Sequence, residues 1–154
     1  MIWPFSWNGA SVGASSSPPP HAQRGPRYRQ LPLWRDANRL LLEIEVAVRG
    51  FSRYHKYTLG TDLRALSMRV CGLVARAAQT PDPIARLGCV EQWVWCVEDI
   101  KIQVQLGKEI AAFASFAQFQ RIAELSVALG KQSGGWWKRA RSVAVAPAPV
   151  GATA

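Results

Sequence analysis

The chain has 154 residues, 49% of them hydrophobic, with a net charge of +9 and a pI near 10.2. That length suits one domain with a core of its own, and the cation excess favours a polyanion such as nucleic acid as partner, with solubility as the plainer use of the same charge. Cys71, Cys89 and Cys96 are odd in number and lack CxxC or Cys/His ligand spacing, so they indicate neither a disulfide framework nor a zinc site and point to a reducing compartment.

The opening run, Met1 to Trp7, is apolar but short, broken by Pro4 and without a leading positive charge. It suits neither a signal peptide nor a membrane span, and a bacterial cytoplasmic protein is expected. Residues 1–31 are rich in Ser, Pro, Gly and Ala and carry no periodic apolar stripe, which predicts a disordered arm. Arg24, Arg27 and Arg29 make its end basic, serving either to trail along phosphates or simply to solubilise.

Pro32 can open a helix, and Leu33, Ala37, Leu40, Leu41, Ile44, Val48 and Phe51 build one apolar face up to Gly50. At about 100° per residue, Arg35, Arg39 and Arg49 gather on the opposite face, and Arg53 joins them if the helix continues past Gly50. Leu42 and Val46 lie within that arginine stripe, either as a second packing surface or as ordinary exposed aliphatics. Ser52 to Tyr57 reads as a polar link in which Lys56 adds a cation, and Thr58 or Thr61 is the expected cap of the next helix.

In that second helix Leu59, Leu63, Leu66, Val70, Leu73 and Ala77 form the core stripe, while Ala65, Met68, Gly72 and Ala75 make an opposite face where another backbone can approach. Thr80 to Pro83 ends it. A third helix over 84–108 buries Val90, Trp93, Val97, Ile100 and Val104 and leaves Trp95, Ile102 and Leu106 off the core. Gly107 should weaken its end. Ser115 and Gln118 form a capping box for the fourth helix, whose face is Phe119, Ile122, Ser126 and Leu129, with Arg121, Glu124 and Lys131 opposite. Gly134 and Gly135 are the expected stop, followed by a basic exit of Trp136, Trp137, Lys138, Arg139 and Arg141.

The expected architecture is therefore all-α: an up-down four-helix bundle over 32–141, between the arm and a disordered Ala/Pro tail over 142–154. Apolar residues outside the core on three helices make self-association the economical reading.

Chemistry is harder to find. Glu98 and Asp99 are adjacent on a helix and diverge, His55 stands alone in a link, and no nucleophile–base arrangement is readable. Gly130, Gly134 and Gly135 form no GxGxxG or Walker loop. No enzyme, cofactor or metal is expected. Nucleic-acid binding has better warrant, through Arg35, Arg39, Arg49, Arg53 and Lys56 on one side and Lys131, Trp136, Lys138 and Arg139 on another. The first set reads equally as a solvated face, and the tryptophans as packing against a neighbouring helix.

Several short patterns resemble one family. Ala112 to Gln118, Gly130 to Trp136, Trp34 to Asn38, Tyr57 to Arg64 and Glu98 to Lys101 fall in the order and spacing of the accessory variability determinant, the small helical partner of the reverse transcriptase in diversity-generating retroelements. The resemblance spans about residues 33–139. It implies a basic four-helix bundle assembled as a homopentamer, with the reverse transcriptase and template RNA or DNA as partners. The implied role is non-catalytic, in mutagenic retrohoming. A rival resemblance is to the four-helix proteins encoded in intervening sequences of large ribosomal RNA genes, which implies a structural oligomer with no polymerase partner.

Overall fold

Proline at the first position of a helix sacrifices an N–H that has no partner there anyway. The first helix, Pro32–Arg49, begins on such a proline in this computed structural model, which describes residues 25–147. The expectations for 1–24 and 148–154 lie outside those residues. The last part of the expected arm is a 3-10 turn, Arg27–Gln30, held to the first helix by Tyr28, whose ring meets Trp34 edge-on at 4.6 Å. The apolar Leu31 and Trp34 beside it give the turn something to pack on, which composition alone does not reveal.

Leu33, Ala37, Leu40, Ile44 and Val48 are buried, and Gly50 ends the helix so that Phe51 turns into the core. Arg53 is thereby cut off from the arginine face of the first helix. Ser52, and neither Thr58 nor Thr61, caps the next turn: its Oγ accepts from the His55 N–H at 3.4 Å. The two threonine hydroxyls instead donate back to the carbonyls of Tyr54 and Lys56. That helical turn, Arg53–His55, continues through a π-helical turn, Lys56–Gly60, into the second helix, Thr61–Gln79. Gly60 explains the wide turn, because a Cβ there would stand 2.7 Å from Val48 Cγ1.

Asp82 caps the third helix, Pro83–Glu109, by accepting from the Ala85 N–H at 2.9 Å. Its end is a Schellman motif: Ala112 N–H donates to the Gly107 carbonyl, Ala111 N–H donates to that of Lys108, and Ala111 sits at φ 56°. Gly107 does more than weaken the helix, since a Cβ would come within 2.9 Å of both Phe113 and Leu59. In the fourth helix, Phe116–Val145, Ser115 Oγ accepts from the Gln118 N–H, while Gln118 Oε1 accepts from Ala114 rather than from Ser115 itself.

The expected stop at Gly134 and Gly135 does not occur, and Ser142 to Val145 belong to the helix rather than to a tail. Each glycine costs a helix interior about 1 kcal/mol. Beyond them Trp136 packs edge-on against buried Trp93, at 6.0 Å, and Ala140 is buried, so tertiary contact offsets the loss.

These four helices close an all-α up-down ring: the first packs on the second and fourth, and the third packs on the same two. No strand occurs among the described residues. Ser67, Ser126 and Ser133 enter the core only because each hydroxyl donates to the carbonyl four residues back, at 2.7–2.9 Å. The third and fourth helices, 27 and 30 residues, exceed the 18 and 19 of the first and second.

Candidate nucleic-acid interface

Helical periodicity places Arg35, Arg39, Leu42, Val46 and Arg49 along the outward side of the first helix. All five are exposed. What matters electrostatically is where the acids of that helix turn. Glu45 pairs with Arg64 of the second helix at 2.5 Å, Glu43 reaches Arg121 of the fourth at 3.5 Å, and Asp36 accepts from Gln132. Among the described residues no carboxylate pairs with Arg35, Arg39 or Arg49. The carboxylates that could have neutralised the arginine row are thus committed to its flanks. The row remains an uncompensated line of positive charge of the kind that phosphates attract.

The other predicted cations do not join this row. Arg53 is exposed on the turn after Phe51, and Lys56 is half-buried in the π-helical turn. Lys131 and Lys138 are exposed and share the outward side of the fourth helix with Val127. Trp136 is half-buried on Trp93, which is the packing reading of that residue, and Arg139 lies 5.8 Å from its ring centroid. Trp136 is therefore fixed in the bundle wall rather than free to swing, and its unburied part faces the end of the bundle.

Outside the core, Leu42, Val46, Ala65, Met68, Gly72, Trp95, Ile102 and Leu106 are all exposed, and Ala75 is half-buried. Trp95 is 69% exposed and borders a groove of about 270 Å³ with Glu91, Val94 and Trp137. Ile84, about three turns further back on the same side of the helix, is 71% exposed and extends the same row. It was not among the predicted surface residues, although its spacing from Trp95 carries the same periodicity.

The up-down order brings the starts of the first and third helices and the ends of the second and fourth to one end of the bundle. There a cleft of about 410 Å³ is lined by Arg27, Gln30, Leu31, Ala77, Ala78, Arg86 and Trp136. Arg86 is the residue sequence reasoning missed. Its guanidinium donates twice to the Thr80 carbonyl, from Nε at 3.1 Å and Nη2 at 2.7 Å, closing the end of the second helix. A signal was present: arginine in the first turn of a helix opposes the macrodipole and needs a reason to be there.

The cysteines are buried and free. Burial pushes the Cys71 thiol up to about 11 and raises Cys96 as well, which opposes formation of the nucleophilic thiolate. Among the described residues no cluster of His, Cys, Asp or Glu stands ready to hold a metal ion, and no helix is long and apolar enough to cross a membrane. The sequence matches no protein-family model and no curated protein.

Proposed function

We propose that this protein is a non-catalytic, nucleic-acid-binding accessory subunit of a retroelement reverse transcriptase, supporting mutagenic copying of a template RNA into a variable gene. The observation that carries the binding part is the first-helix row of Arg35, Arg39 and Arg49, exposed while Glu43 and Glu45 pair with other helices. Such a row releases counterions when phosphates dock and reads no base, so binding is weak per protomer and indifferent to sequence. The polymerase and retrohoming part rests on the family resemblance. So does the expected homopentamer, to which the apolar residues exposed on three helices lend support.

Fluorescence anisotropy with labelled RNA and DNA over a salt series tests the binding. Reversing Arg35, Arg39 and Arg49 to Glu should weaken affinity and lower the log–log salt slope by about one unit per lost contact. Equal binding by the variant in an intact oligomer would clear this row. Light scattering tests assembly, which Met68→Arg should disrupt if that face is buried between copies; a monomeric wild type at micromolar concentration would remove the oligomer. A neighbouring reverse-transcriptase gene with a template/variable repeat pair separates this role from the structural oligomer, which predicts a ribosomal RNA gene instead.

A further inference from the structure

The end cleft differs from the arginine row in kind. It is concave, it has an aromatic wall, and its arginines come from separate elements. Arg27 arrives on the 3-10 turn before the first helix, and Arg86 from the first turn of the third. Arg86 is half-buried, with Nε and Nη2 fixed on Thr80, and neither arginine meets a carboxylate among the described residues. Trp136 is held in place by Trp93.

A guanidinium already anchored by one carbonyl loses little freedom when its remaining donors bind an anion. A planar apolar wall beside it suits a ring rather than a bare ion. At about 410 Å³ the cleft lies toward the small end of ligand pockets. Past Arg86 and Trp136 the surface continues into a second hollow of about 60 Å³, bounded by Pro83, Arg139, Ala140 and Val143 as well as those two residues. Cations thus border both hollows in succession, Arg27, Arg86, then Arg139, with Trp136 between them. A free nucleotide is best served by one enclosed site, whereas a track of cations around an aromatic suits a strand passing through.

We propose that the cleft holds one nucleotide of a single-stranded nucleic acid, its phosphate against Arg27 and Arg86 and its base against Trp136. This rests on the nucleic-acid reading above and adds a place where a strand is gripped rather than merely attracted.

The test uses the full chain carrying 5-fluorotryptophan, with the Trp136 resonance identified from Trp136→Phe, titrated with 5′-phosphorylated trithymidylate. The Trp136 fluorine signal should shift and saturate. Arg27→Glu, at an exposed position off the core, should weaken that titration roughly tenfold, as loss of one charge-assisted contact does, while Arg53→Glu, exposed on the turn at the opposite end of the bundle, leaves it unchanged. An unmoved Trp136 signal in a protein that still binds long RNA or DNA would overturn the cleft and leave the arginine row standing. Unaltered affinity in Arg27→Glu would overturn it too, and equal affinity for thymidine monophosphate would replace the strand with a free nucleotide. Failure to bind nucleic acid of any length would end both readings.

Discussion

The two ends of the bundle are built on opposite plans. At the end where the first helix stops, Phe51 and Phe113 meet edge-on at 5.4 Å, Phe113 and Phe119 tilt together at 5.9 Å, and Lys108 lies 5.1 Å from the Phe119 ring centroid. Gly60 and Gly107 are there because no side chain fits. At the other end the fourth helix continues through two glycines at which an added Cβ would meet nothing within 4 Å, and Arg27, Arg86 and Arg139 border two adjoining hollows. One end is closed by its own aromatics and needs nothing more. The other has two arginines in a cleft, and neither meets a carboxylate among the described residues.

The contrast is sharpest in the glycines. Gly107→Ala and Gly60→Ala should each cost about 1–3 kcal/mol in urea denaturation, as overpacking does, because the atoms they meet belong to the buried aromatic end. Wild-type midpoints for both would mean that end is loosely filled. At the open end the sign should reverse. Gly134→Ala and Gly135→Ala meet nothing within 4 Å and should each stabilise by about 1 kcal/mol from helix propensity alone. Loss of stability in either variant would place a neighbour against that face, a second copy of the chain being the first to examine by light scattering.

A smaller gain is expected at Ala111, which holds φ 56° in the turn beside the aromatic end. Glycine removes the steric cost of a left-handed Cβ, so Ala111→Gly should raise the thermal midpoint by an amount equivalent to up to about 1 kcal/mol. Unchanged or lower melting would show that the turn is not under strain. The smallest effect on stability should come from the cations of the open end. Arg27→Glu with Arg139→Glu should change the urea midpoint by an equivalent of no more than about 0.5 kcal/mol, yet lower the salt slope of nucleic-acid binding by about one unit per lost phosphate contact. Stability and binding that fall together would contradict the division of labour between the two ends.

The amino-acid order determined the four helices, because their signals are local. Pro32, Thr80 to Pro83 and Ser115 mark boundaries through donors, caps and proline sterics that act within a turn, and the apolar periodicities of Val70, Trp93, Ile100 and Ile122 name core residues that are all buried. It likewise placed Leu42, Val46, Met68, Trp95 and Ile102 outside that core, where they are exposed. What it could not determine were choices between nearly equal local energies. Two adjacent glycines end a helix unless a neighbour holds the next turn, and Trp93 holds it. Gly107 reads as a weak point until Phe113 and Leu59 are seen pressing on it. The arginines show the same limit. Their presence on the first helix was legible, but their lack of partners depended on Glu43 and Glu45 reaching Arg121 and Arg64 across the bundle, and the cleft of Arg27, Arg86 and Trp136 joins residues more than a hundred positions apart. Only the closing of the up-down ring brings those residues to one end, since no local interaction links them.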